Sequence, residues 1–232
     1  MIVNQDFVLI GKELNYMNLI WFICGSCVGS FMLASVERWP AILTMQRSRC
    51  KNCHRQLQWF ELLPILSFGC LHGCCKTCQV PIGWWSLSCE ISSGLWWWAC
   101  PPTSLGNTRW LLFGMLLLLT ACCDWQVRQV PVGWLICLGL IACSFSPHSF
   151  QINCLLSISY LSIQPWLHSQ PWIGSGDLDL LLILFIAYDP LQWSWLVLWA
   201  ALIGISCALY ERCHSIPFFP CLYLATLLLK LT

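Results

Sequence analysis

Two carboxylates and four thiols carry most of the chemistry this sequence could perform. Asp177 closes the stretch Gly174-Ser175-Gly176-Asp177, directly before a long apolar run. Asp124 stands in ACCDWQVRQVP, at the end of another apolar run and seven residues before Pro131. Acidic side chains near hydrocarbon are costly and mark function more often than structure. Glycines beside Asp177 let backbone approach closely and take turns that a side chain would forbid. Two such carboxylates could share one proton, because like charges in one site cannot both ionise freely. One would then take a proton from water while the other donates to a carbonyl oxygen, which is the chemistry of peptide hydrolysis. Asp179 lies two residues beyond Asp177 and does not share its helix face. It is expected to contribute secondarily or to face a substrate.

The thiols form two CxxC pairs, Cys50/Cys53 and Cys75/Cys78. Paired knuckles of this kind suit a tetrahedral Zn²⁺. Cys70 and Cys74 blur the assignment, since Cys74 could compete as a ligand. A loop of this size is too small for its own hydrophobic core, so a metal would hold it together. Most other cysteines lie inside apolar runs and read as small hydrophobes filling helices.

The elements that must position these groups are membrane helices. Of 232 residues, 58% are hydrophobic and 9% charged, against roughly 25% charged in soluble domains. The net charge of +1 gives no argument for nucleic acid. Residues 1–18 read as a short mixed tail. Apolar runs at 18–36, 84–100, 110–123, 130–146, 150–167, 178–189, 191–210 and 214–231 predict an all-α polytopic protein with about eight, or seven, transmembrane helices. Gly25, Gly29 and Ser30 suit either tight helix contact or a substrate-facing surface. The expected domains are a tail and first helix (1–36), a polar zinc-knuckle loop (37–83) and a multi-helix membrane core (84–232). The stretch FELLPILSF within the loop is too short to span. Glu90 falls in an apolar segment and needs a partner, for which Arg38 is one candidate. Asp189, before Pro190, reads as a cap or turn residue.

Residues 37–83 hold six of the eleven basic residues. The positive-inside rule therefore places that loop in the cytoplasm. With eight spans, cytoplasmic segments carry eight basic residues (those six, Arg128 and Arg212) and outer segments three (Lys12, Arg109 and Lys230). Both termini then lie outside, and Asp124 and Asp177 share the cytoplasmic face. The reducing cytoplasm favours a metal over disulfides at the knuckles.

These residues, in this order, resemble the bacterial prepilin peptidases, the type 4 leader peptidase family. In size the chain is similar to the short competence-type members. Gly29-Ser30-Phe31 followed by Glu37-Arg38 resembles the first-helix signature. The CxxC pairs resemble the zinc knuckles, and Pro64-Ile65-Leu66-Ser67 the insert between them. Asp124 with Val130-Pro131 resembles the first catalytic motif, Gly174 to Asp177 the GxGD motif, and Pro217-Phe218-Phe219-Pro220 the final signature. Val132 stands where Asp or Asn is frequent, Asp179 where Lys is frequent, and Phe219 where Gly is. The resemblance implies a GxGD-type aspartic protease with Asp124 and Asp177 catalytic, supported by Gly174, Gly176, Asp179 and Pro131. It also implies structural Zn²⁺ on Cys50, Cys53, Cys75 and Cys78. Its substrate would be a prepilin or pseudopilin helix with a basic leader and a Gly at the cleavage point. It would be cut at the cytoplasmic side of a bacterial cell membrane, with the lipid bilayer as the other partner. N-methylation of the new terminus with S-adenosylmethionine would involve Gly29, Glu37 and Arg38. A preflagellin-peptidase-like protease of archaeal type and an ion-coupled transporter are the competing readings; oligomeric state is not fixed by the sequence.

Overall fold

The computed structural model describes residues 3–38, 48–50, 52–167, 174–211 and 216–232. Arg47, Lys51 and Arg212, which entered the charge count, lie outside the described residues. The chain forms two compact units, Met1–Ser104 and Leu105–Thr232.

In the first unit, α1 (Val3–Glu37) is one continuous helix of 35 residues. The expected mixed tail is thus helical from Val3. A short 3₁₀ turn (Trp59–Leu62) and α2 (Leu66–Cys70) follow in the loop, then α3 (Trp84–Ala99). Helices α1 and α3 pack along most of their facing length. Their small residues explain the approach. A Cβ placed on Gly29 would come within 2.6 Å of Ser93 Cβ and 2.7 Å of the Cys89 carbonyl, and one on Gly25 within 2.6 Å of the Trp97 ring. Ser93 Oγ donates to the Gly25 carbonyl at 2.7 Å. The small-residue pattern of the first helix therefore serves helix contact.

The second unit holds α4 (Leu105–Val127), α5 (Val132–Cys143), α6 (Phe150–Leu167), α7 (Ser175–Ala187), α8 (Pro190–Glu211) and α9 (Phe218–Leu231). Its centre is α9, which touches α4, α7 and α8 and buries Phe219, Leu222, Tyr223 and Thr226. From α4 come Phe113, Leu117, Leu118 and Ala121, and from α7 Leu180 and Leu184, all closed to solvent. Two contacts fix direction. Lys230 Nζ, at the end of α9, lies 4.2 Å from the ring centroid of Trp110, near the start of α4. Tyr188, just past α7, meets the same ring at 5.3 Å. Both α7 and α9 therefore run antiparallel to α4. Asp189 precedes Pro190 at the start of α8, and its carbonyl accepts from Trp193 N–H at 2.8 Å, as expected of a turn residue.

The fold is all-α and multi-pass, but the expected seven or eight transmembrane helices are not found. Among the described residues three helices are long and apolar enough to cross a membrane: Tyr16–Glu37 within α1, α4, and Pro190–Tyr210 within α8. Apolar run length misled because a run is not a helix length. At about 1.5 Å per residue, the 12 residues of α5 rise only ~18 Å and the 16 of α3 ~24 Å, short of a core about 30 Å thick. In α6, Pro165 and four polar residues (Ser157, Ser159, Ser162 and Gln164) interrupt the apolar run. The GxGD-type aspartic-protease class is corrected with it. The group of potential metal ligands that converges among the described residues is a set of four cysteines, and the fold by itself defines no such protease class.

Candidate functional sites

Four cysteines that could hold a metal ion converge in the first unit. Each CxxC pair sits on a tight turn of the same form. Cys50 N–H donates to the Arg55 carbonyl at 2.9 Å, and Cys75 N–H to the Val80 carbonyl at 2.9 Å. Four residues after the first Cys of each pair, His54 and Gln79 both take φ +55. The two knuckles are thus the same structure used twice, and their sulfurs converge. All four Sγ atoms lie within 4.8 Å of one another, with Cys50–Cys78 at 3.7 Å and Cys53–Cys75 at 4.0 Å. Tetrahedral Zn²⁺ with Zn–S bonds of about 2.3 Å needs sulfurs roughly 3.8 Å apart. The donor set fits the ion. Backbone N–H groups of Cys78 and Thr77 aimed at Cys75 hold its thiol down at about 6. The Val80 N–H and the Asn52 side chain lower Cys78 likewise. Such outer contacts orient thiolate ligands and favour the charged form. Cys74 does not join them; it pairs through its backbone with Pro81. Cys70 is exposed.

Glu61 braces this loop. It is buried, accepts from Arg55 Nη2 at 2.6 Å and from Gln58 N–H at 2.8 Å. The Arg55 hydrogen bond holds its carboxyl below the ordinary carboxylate range. Glu90 does not pair with Arg38. Its two oxygens accept from Ser30 Oγ on α1 at 2.9 Å and from Ile65 N–H at 2.8 Å, while Arg38 Nη1 donates to Ser48 Oγ at 3.1 Å. Of the residues expected to serve methyl transfer, Gly29 is in the α1–α3 contact and Glu37 ends α1.

The two aspartates belong to the second unit. Because α4 and α7 run in opposite directions, the end of the first and the start of the second fall at one end of the helices. Asp124 lies in the last turn of α4 and Asp177 in the first turn of α7. Phe219 N–H, in the first turn of α9, donates to Asp124 Oδ2 at 3.3 Å. The positive end of the α9 dipole thus faces that carboxylate. The Phe219 ring lies 3.5 Å from where a Gly176 Cβ would sit. Arg128 turns out of α4 at φ +57, its charge within reach of Asp124. Gly174 caps α7 with ordinary φ of −64°. Its merit is room, since a Cβ there would stand 2.9 Å from Asp177 Oδ2. Pro131 caps α5, with φ −61°. Asp179 points elsewhere: Oδ1 accepts from Tyr160 OH at 2.6 Å and from Gln164 Nε2 at 3.4 Å, both on α6.

Sequence reasoning passed over Phe219, noted only as a departure from a motif, and over Arg128, Tyr160 and Gln164. For Phe219 the available signal was its place between Pro217 and Pro220 at the mouth of an apolar run. For the others no local signal exists.

A multi-pass all-α protein with four convergent cysteines able to hold a metal ion is the class that fold and site define. Comparison with known proteins is more specific. Residues 23–102 match the family described as the bacterial peptidase A24 N-terminal domain. Over 81 residues the chain is 38% identical to a prepilin leader peptidase/N-methyltransferase of Myxococcus xanthus (strain DK1622), covering 34% of this chain and 24% of that one. Over 80 residues it is 30% identical to a protein of the same description from Vibrio cholerae serotype O1 (strain ATCC 39315 / El Tor Inaba N16961), covering 30% and 32%. The chain thus spans about a quarter to a third of the length of these curated relatives. No solved structure matches significantly. The similarity to prepilin peptidases thus rests on about a third of this chain.

Proposed function

We propose that the chain is a membrane aspartic endopeptidase that removes a short basic leader from type IV prepilins or pseudopilins. Asp124 and Asp177 are its reacting carboxylates. What supports this reading is the placement of Asp124 in the last turn of α4 and Asp177 in the first turn of the antiparallel α7, with the Phe219 N–H on Asp124. In such a pair one ionised carboxylate takes the proton from an attacking water, and the protonated one donates to the scissile carbonyl oxygen. Proximity keeps one proton shared between them. The Phe219 N–H on Asp124 Oδ2 makes the two carboxylates inequivalent. Asp179, Tyr160 and Gln164 tie α6 to α7 two residues from Asp177 and position the start of that helix.

Cys50, Cys53, Cys75 and Cys78 would hold a Zn²⁺, which when bound supplies a fixed crosslink for the loop and no step of the hydrolysis. The basic residues of that loop support a cytoplasmic placement in a bacterial membrane, and so cleavage at the inner face. The relatives' names include N-methyltransferase, but Gly29, which would serve that activity, is taken up by helix packing.

Co-expression of a pseudopilin precursor in membranes tests the reading. Mass spectrometry should find the precursor shortened by its basic leader, and a precursor with the Gly at the cleavage point replaced should stay intact. A precursor left whole, with a transmembrane ion gradient collapsing instead, would move the aspartates to a transport role.

A further inference from the structure

The loop between the first two long helices of the N-terminal unit has two chemically opposite ends. The knuckles expose Asn52, His54, Lys76, Thr77 and Gln79. The insert between them does the reverse. From Trp59 to Leu66 every exposed side chain is apolar: Trp59, Phe60, Leu62, Leu63 and Leu66, with Trp59 at 76% and Leu66 at 64%. Its one charged residue, Glu61, is turned inward onto Arg55. A loop facing water has no reason to hide its carboxylate and show its leucines.

The insert's depth is set by hydrogen bonds. Ile65 takes φ +61 and ψ −50, and Leu66 N–H bonds back to the Pro64 carbonyl. That is the strained γ-turn, rare for a β-branched residue. It is held because Ile65 N–H donates to Glu90 on α3, which also accepts from Ser30 on α1. Ser30 lies seven residues before the end of the Tyr16–Glu37 span, about 10 Å inside it at 1.5 Å per residue. Beside Ser30, Phe31 is 65% exposed on a helix long and apolar enough to cross a membrane. The apolar surface of the insert is therefore level with the lipid-facing surface of α1.

We propose that Trp59–Leu66 is a wedge sunk into the acyl-chain boundary of the bilayer, held at that depth by Glu90, while the metal knuckles stand in water. Its occupant is lipid. The peptidase reading is not needed for it and does not fall with it. Interfacial apolar segments bind in this manner, about 5–10 Å deep. The Phe68–Trp84 ring pair, 5.2 Å between centroids, joins α2, which begins at the last residue of the wedge, to the first turn of α3, where an aromatic belongs at the interface.

The full chain, reconstituted at one copy per nanodisc of phosphatidylcholine and phosphatidylglycerol, can be photolysed with a diazirine confined to the acyl chains. Adducts are then mapped by mass spectrometry. Trp59–Leu66 should label as heavily as Leu19–Ile23 and several-fold above Lys76–Gln79. In Glu90→Ala the labelling of Trp59–Leu66 should fall several-fold while Leu19–Ile23 keeps its own. Insert labelling no higher than that of the knuckles overturns the proposal and points to a protein as what covers this face. Unchanged labelling in Glu90→Ala overturns the role of Glu90 in setting the depth.

Discussion

Cys75 and its neighbour Cys74 show how finely residue identity matters in the knuckles. Both are cysteines in the same turn, yet the Sγ of Cys75 meets three other sulfurs while Cys74 is a backbone rung opposite Pro81. Cys75→Ser should therefore reduce bound zinc from one ion per chain to a small fraction of that, and Cys74→Ser should leave it at one; elemental analysis of purified protein reads both. The equal claims of Cys74 and Cys75 in the sequence could not be separated there, because the choice is made by the direction of a side chain in a turn. The pairs themselves were legible, since CxxC is a local pattern and the knuckle is a local structure. Glu61 gives a pH dependence. Arg55 depresses its pKa, so the stabilisation it provides is complete above the ordinary carboxylate value of about 4.3 and is lost as pH falls through its lowered value. Zinc retention by the parent should exceed that of Glu61→Gln at neutral pH, and the two should converge in acid. A gap that persists undiminished at acid pH would contradict this.

At the scale of elements, the pairing of α1 with α3 rests on absent side chains. Gly29 faces Ser93 and the Cys89 carbonyl at distances no Cβ tolerates. Gly29→Val must push the helices apart, which overpacking data put at about 1–3 kcal/mol or more. The same displacement would stretch the Ser30–Glu90 bond next to it. Thermal unfolding of the detergent-solubilised chain should begin several degrees lower, and Gly139→Ala, where the nearest atom is 3.7 Å away, should be neutral by comparison. Spacing of small residues announced a close contact but not its partner. Glu90 makes the same point more strongly. A buried carboxylate demands donors, and the sequence offered Arg38. The structure answers with a hydroxyl and a strained backbone N–H contributed from two distant segments. Helix lengths failed for another reason. Hydrophobic runs locate helices well, and every expected run does contain one, but helix ends are set by prolines and turns such as Asp189-Pro190.

For the molecule as a whole, the N-terminal unit carries the match to the family model, whereas the proposed chemistry belongs to the C-terminal unit. The two aspartates were legible as candidates because carboxylates at the ends of apolar runs are conspicuous. That α9 stands among α4, α7 and α8 and offers a backbone N–H to Asp124 was not, since it depends on three helices packing. The most direct test of the account is pseudopilin-precursor cleavage in membranes, comparing the parent with Asp124→Asn and Asp177→Asn at equal expression. Both variants keep shape and lose the exchangeable charge, so each should lower the cleavage rate by about 10²–10⁴-fold, with zinc content unchanged. Cleavage at the parental rate by either variant would contradict the two-carboxylate site.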